Sequence, residues 1–144
     1  MRFDLNHKTA IVTGASQGIG ETIAIEMAKS GATVFCLARN KEALDTTIKK
    51  ITENSGKATA FSCDISNNDD FKSIILNIVK EYGSIDILVN NAGITKDNLL
   101  MRMSDDQWDD VLNINLKGSF TCTRSVIKHM MKKKFGRIIN ITSI

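Results

Sequence analysis

Along the chain, short runs of β-branched and apolar residues alternate with longer segments whose apolar positions recur at helical spacing. Thr9 to Thr13, Thr33 to Ala38, Ala58 to Cys63, Ile85 to Asn90 and Arg137 to Thr142 read as strands buried on both faces. Between them, Ile19, Ile23, Met27 and Ala28 form one helical stripe, and Leu44, Ile48 and Ile51 a second. A third carries Phe71, Ile74, Ile75, Ile78, Val79 and Tyr82. The fourth helical region spans about Ser104 to Lys134, a short helix leading into a longer one with Phe120, Val126, Ile127, Met130 and Met131. Asn40 and Ser66 stand where N-caps are wanted, and Ser104 with Gln107 makes a capping box. Strands that alternate with helices form a parallel sheet. Right-handed crossovers with helices on both faces predict an α/β, doubly wound Rossmann arrangement of strand order 3-2-1-4-5.

Such sheets bind ligands beyond the carboxyl ends of their strands, at the switch point between strands 1 and 4. The most informative stretch, Thr13-Gly-Ala-Ser-Gln-Gly-Ile-Gly20, lies there. Gly14 permits a tight strand-to-helix turn, Gly18 lets backbone approach a pyrophosphate, and Gly20 lets helix pack closely on strand. Free N–H groups at the helix start, aided by the helix dipole, then face the anion. Ser16, Gln17 and Ile19 belong to the same cradle. By itself a three-glycine pattern also joins strands to helices in proteins that bind nothing.

Other strand ends carry further candidates. After strand 2, Ala38-Arg39-Asn40 offers a guanidinium where an NAD-preferring fold usually has an acid for the ribose hydroxyls, so a 2′-phosphate and hence NADP is favoured. The alternative is an ordinary surface arginine near a helix start. After strand 3, Asp64 and Ile65 are placed for the edge and face of an adenine. After strand 4, the small residues of Asn90-Asn91-Ala92-Gly93 allow backbone to approach a ligand while the amides bond across the loop.

Composition adds limits. With 144 residues and 42% hydrophobic content, the chain suits one domain with a buried core. The net charge of +3 is modest, and apart from Lys128 to Arg137 its cations are scattered, so no nucleic-acid footprint is expected. Cys36, Cys63 and Cys122 are odd in number and far apart, which predicts buried thiols in a reducing compartment and neither a disulfide nor a metal framework. The polar N-terminus and short apolar runs predict neither a signal nor a membrane span, hence a cytoplasmic protein. The absence of proline fits nucleotide bias in the source genome and has no functional weight.

Taken together, the glycine motif, Asp64, Asn90-Asn-Ala-Gly93, Asn115 and Gly136-Arg-Ile-Ile-Asn-Ile-Thr-Ser143 resemble the short-chain dehydrogenase/reductases over essentially the whole chain. Within that family, Gly93 to Met103 is similar to the 3-oxoacyl-(acyl-carrier-protein) reductases of fatty-acid synthesis. The resemblance implies that residues 1–144 are an NADP-binding domain ending after strand 5, with the family's last strands and helices absent. It makes Ser143 the catalytic serine, which hydrogen-bonds the substrate ketone, and Asn115 the helix asparagine that holds a water in the proton relay. Gln17 departs from the cation many NADP-dependent members carry there, which leaves Arg39 most of the 2′-phosphate recognition. For Lys128, Lys132, Lys133, Lys134 and Arg137 two readings stand: complement to a helix carbonyl end, or docking of an acidic acyl carrier protein on this side of the pocket with Lys134 and Arg137 nearest.

The family's proton transfer uses a tyrosine and a lysine four residues later. The sole tyrosine, Tyr82, is followed by Gly-Ser-Ile-Asp86, so no Tyr-x-x-x-Lys occurs in the 144 residues. The chain alone is therefore expected to be inactive, strand 5 to be an edge, and the apolar face from Leu112 to Met131 to lie exposed where the family forms its homotetramer. A catalytically dead NADP-binding association module and a short-chain reductase of another carbonyl are the competing readings.

Overall fold

The computed structural model describes residues 4–142. Its strands are β1 (Thr9–Thr13), β2 (Thr33–Ala38), β3 (Lys57–Ser62), β4 (Ile87–Asn90) and β5 (Arg137–Asn140). Its helices are α1 (Gly18–Lys29), α2 (Lys41–Glu53), α3 (Asn68–Tyr82), α4 (Asp105–Val111) and α5 (Gly118–Lys133). The strands form one parallel sheet in the order β3-β2-β1-β4-β5, as the pattern of the chain predicts.

Two apolar layers follow from the two-residue period of the strands. Ile11, Phe35, Leu37 and Leu88 face α3 and α5, where Phe71, Ile75, Ile78, Cys122 and Val126 meet them. Ala10, Val12, Val34, Cys36, Ile87 and Val89 face α1 and α2 and pack on Ala24, Ala28, Leu44 and Ile51. The expectation of two-sided burial holds for β1, whose five residues are all buried, and for β4. It fails for the edge strands. Residues of β3 alternate between exposed and half-buried, and β5 is mostly exposed, since each has a neighbour on one side only. Two strands are also shorter than the pattern predicts, β4 by two residues at its start and β5 by two at its end.

Local signals explain most helix starts. Asn40 Oδ1 accepts from Ala43 N at 3.0 Å, and Ser104 and Gln107 form the capping box. The N-cap of α3 is Asn67 rather than Ser66, because Ser66 turns back to bond Asp64 while Asn67 Oδ1 accepts from Asp69 N and Asp70 N. The stripe assigned to α1 is rotated as well. Its buried residues are Gly20, Ala24 and Ala28, so the helix lies close on the sheet through its small side, and Ile19 is 64% exposed. Between α4 and α5 the chain winds more widely, as a π-helical segment at Leu112–Lys117.

Candidate functional site

Where β1 and β4 diverge, Thr13 organises the two loops that leave them. Its hydroxyl donates to Val89 O at 3.3 Å and accepts from Asn91 N and Ala92 N, both at 3.0 Å. Asn91 Nδ2 returns the tie, donating to Thr13 O at 3.1 Å and Gly14 O at 3.3 Å. The amide of Asn91 is thus spent on holding the glycine loop. Its backbone, with Ala92 and Gly93, is what remains for a ligand. From below, the buried Thr47 hydroxyl of α2 donates to Ala15 O at 3.1 Å.

The three glycines divide their work differently from the sequence expectation. Gly14 has φ +67°, and a Cβ there would lie 2.8 Å from Ala92 Cα. Gly18 has φ +59° with open space around the missing side chain, so it serves both conformation and ligand approach. At Gly20 a Cβ would lie 2.2 Å from Gly14 O and 2.4 Å from Asn91 Nδ2, so its close neighbour is the loop rather than the strand. Gln17, the N-cap of α1, makes no side-chain capping bond, which leaves the first N–H groups of that helix without a side-chain acceptor. A glycine cradle, open space and a helix start uncapped by its N-cap side chain fit the pyrophosphate of a dinucleotide.

A cavity of about 710 Å³ opens above this cradle. Among the residues singled out in the sequence, Gly14, Ser16, Gln17, Arg39, Asp64, Ile65, Asn91, Ala92 and Gly93 line it. Gly18, Ile19 and Gly20 form the adjoining first turn of α1. Leu37, Ala43, Ile94 and Ile114 also line it and were not singled out. A second cavity of about 640 Å³ shares Arg39, Asp64, Ile94 and Ile114 with the first and extends toward Lys117 and the Lys96–Asp110 ion pair. Bonds from the Ser66 hydroxyl and N–H, followed by the field of Arg39, hold the Asp64 carboxyl below its ordinary range. Asp64 therefore acts as an acceptor at neutral pH.

Asn115 lies in the π-helical segment, and its carboxamide clamps the backbone N–H and C=O of a single residue. Oδ1 accepts from Ile94 N at 2.9 Å and Nδ2 donates to Ile94 O at 3.0 Å. The wider winding, where α4 runs into α5, is what presents this residue to the loop after β4. Ser143 lies outside the described residues.

At the other edge of the sheet, the Asp86 side chain is 1% exposed. It accepts from Thr9 N at 2.9 Å, Thr9 Oγ1 at 3.2 Å and Lys133 Nζ at 2.7 Å. Burial opposes its charge, but the bonds from Lys133 and Thr9 prevail and hold its carboxyl below the ordinary value. Lys133 is therefore an internal counter-ion. Arg137 begins β5, and Lys134 ends α5, so both stand at the amino edge of the parallel sheet. That corrects the expectation that they lie on the pocket's side, since four strand residues, roughly 10 Å, separate the two edges. No signal in the sequence marked Asp86 or Thr47, and Thr13 was marked only as the head of the glycine motif, because the partners of all three are far away along the chain.

The three cysteines are buried and free, and burial pushes Cys36 and Cys122 up to about 12 and Cys63 to about 11. Among the described residues, no helix is long and apolar enough to cross a membrane.

Comparison with known proteins places this geometry. A family model for short chain dehydrogenase matches residues 8–144. The 3-oxoacyl-[acyl-carrier-protein] reductase FabG of Staphylococcus epidermidis is 44% identical over 139 residues, covering 96% of this chain and 57% of that relative. The reductase of the same name from Thermotoga maritima is 41% identical over 140 residues, covering 97% and 57%. A metagenomic short-chain oxidoreductase solved in complex with NADP superimposes with a TM-score of 0.93 at 35% identity, covering 97% of this chain and 64% of that one. The F189W actinorhodin polyketide ketoreductase with NADPH gives a TM-score of 0.91 at 38% identity, covering 94% and 53%. The chain thus spans little more than half the length of the curated relatives it matches.

Proposed function

Since the chain belongs to the short-chain dehydrogenase family, we propose that it is the cofactor-binding part of an NADPH-dependent reductase. Its substrate class is the 3-oxoacyl thioester borne by an acyl carrier protein, and its product the 3-hydroxyacyl thioester. The observation that carries this reading is the Thr13–Asn91 latch, which holds an open glycine cradle against a cavity lined by the cation Arg39. The relatives named above support the choice of substrate.

In this reading NADPH supplies a hydride to the β-keto carbon, while a proton goes to its oxygen. Gly14, Ser16, Gln17, Gly18, Ile19 and Gly20 hold the pyrophosphate, Arg39 the 2′-phosphate, and Asp64 and Ile65 the adenine edge and face. Backbone of Asn91, Ala92 and Gly93 lines the nicotinamide half. Asn115 keeps the loop after β4 in place by gripping Ile94, and Ser143 hydrogen-bonds the ketone. The proton donor is not among these residues. Tyr82 ends α3 at the amino edge of the sheet, its ring edge-on to Phe35 at 5.0 Å, and cannot reach the cradle.

An acyl carrier protein is the proposed partner, and Lys134 and Arg137, at the amino edge of the sheet, stand apart from the cavity it would serve. The exposed stripe Trp108, Leu112, Leu116, Phe120 and Met131 is the surface through which the proposed homotetramer would assemble. That stripe also favours the second reading, an NADP-binding module that acts by association. The deciding experiment measures the intact mass of the protein as its own cells make it, then NADPH oxidation with an acetoacetyl thioester and with free ketones. Thioester turnover by a chain heavier than 15.9 kDa supports the reductase. A 15.9 kDa chain that binds NADPH without turnover supports the module, and preference for free ketones points to another carbonyl substrate.

A further inference from the structure

Thr47 lies inside α2 and is fully buried, on the face that also buries Leu44 and Ile51. Valine has the same shape and would fill this place with no polar atom to satisfy. The hydroxyl has two acceptors in reach, Ala15 O in the glycine loop at 3.1 Å and Ala43 O, one turn back in its own helix, at 3.3 Å. One proton favours the shorter bond. Ala15 is itself buried, so without Thr47 its carbonyl would lose its side-chain donor in a place water does not reach. From the other side, Ala15 N–H donates to Leu37 O of β2 at 3.2 Å, which ties the residue at both ends. The consequence falls on the next residue. Ala15 C=O and Ser16 N–H belong to one planar trans peptide, in which the two bonds point in opposite directions. With the carbonyl drawn toward α2, Ser16 N–H is turned away from that helix. Ser16 lines the 710 Å³ cavity, and its N–H donates to no group among the described residues.

We propose that Thr47 is a positioning residue for the cofactor: by holding Ala15 C=O it keeps Ser16 N–H aimed into the cradle, where that donor meets a phosphate oxygen of the dinucleotide. The inference rests on the dinucleotide reading given above and adds to it a residue that does not line the cavity. A donor held in place before binding has no ordering cost to meet when the anion arrives. Without the hydroxyl the Ala15–Ser16 peptide is free to turn, and part of the binding energy goes into fixing it.

The test compares Thr47→Val, which removes the hydroxyl and keeps the shape, with Thr47→Ser, which keeps the hydroxyl, both in the chain length that the cells make. Thr47→Ala is the second hydroxyl-free variant should valine fail to fold. The readouts are the dissociation constants of NADPH and of adenosine, which carries no phosphate, and the carbonyl carbon NMR shift of Ala15 without cofactor. Thr47→Val is expected to weaken NADPH by about tenfold, the effect of one hydrogen bond, with adenosine within about twofold of wild type and the Ala15 carbonyl moved upfield. Thr47→Ser is expected to restore NADPH affinity and the Ala15 shift. Unchanged NADPH affinity in the valine variant would overturn the proposal, as would failure of the serine variant to rescue. Equal weakening of NADPH and adenosine would show a general loss of the pocket and overturn it too. If wild-type protein binds no NADPH, the dinucleotide reading fails and takes the named ligand with it, whereas an unchanged Ala15 shift in Thr47→Val overturns the orienting role whatever the wild type binds.

Discussion

Replacing Lys133 by methionine keeps most of the aliphatic stem and removes the charge that faces Asp86, a carboxylate 1% exposed. The carboxylate then retains only its two bonds from Thr9, at 2.9 and 3.2 Å. A hydrogen bond between charged groups contributes about 1.5–3 kcal/mol. Lys133 is 43% exposed, so water replaces part of that interaction, and the expected loss near neutral pH is about 1.5–2 kcal/mol. With a urea slope of roughly 1–3 kcal/mol per molar, the unfolding midpoint should fall by about 1 M. The pH dependence supplies a sharper check. Asp86 is held below its ordinary value of 3.8 in the folded protein, so its contribution is present above that pH and is lost as pH falls through the lower native value. The variant lacks the main cause of that depression, so its deficit is full near pH 7 and shrinks as both proteins are acidified below about pH 4. Urea melts across this range measure it directly. Equal stabilities near pH 7, or a gap that stays undiminished in acid, would refute the reasoning.

Three further outcomes are expected. Gly20→Ala places a Cβ 2.2 Å from Gly14 O and 2.4 Å from Asn91 Nδ2, so it should abolish NADPH binding by calorimetric titration and cost about 1–3 kcal/mol of stability; wild-type affinity would sink the cradle geometry. Arg39→Asp should weaken NADPH by the roughly 1.5–3 kcal/mol of a charge-assisted bond and leave NADH nearly unchanged, and equal losses for both cofactors would remove Arg39 from 2′-phosphate recognition. With Cys36 and Cys122 fully buried and pushed up to about 12, a thiol reagent near pH 8 should label these two in the native protein only as fast as it unfolds, and rapid labelling of either would contradict the burial.

The alternation of strand and helix, the parallel sheet with its order, the two apolar layers and the place of the glycine loop were all legible in the linear chain. Each depends on local periodicity or on the backbone freedom of a few glycines, and those act between residues close in sequence. The capping box at Ser104 and Gln107 is the clearest case. Where a choice hung on fold context, the pattern misled. The edge positions of β3 and β5 follow from the expected order, but their exposure was not legible in their apolar runs, and α1 buries its alanines and Gly20 rather than Ile19. Tertiary structure alone decided the long-range partnerships: Thr13 with Asn91 at the site, 78 residues apart; Thr9 with Asp86 at the opposite edge, 77 apart; and Asn90 with Asn140, 50 apart. A composition pattern says which side of an element is buried, but a hydrogen bond between distant residues exists only once sheet order and register bring donor and acceptor together.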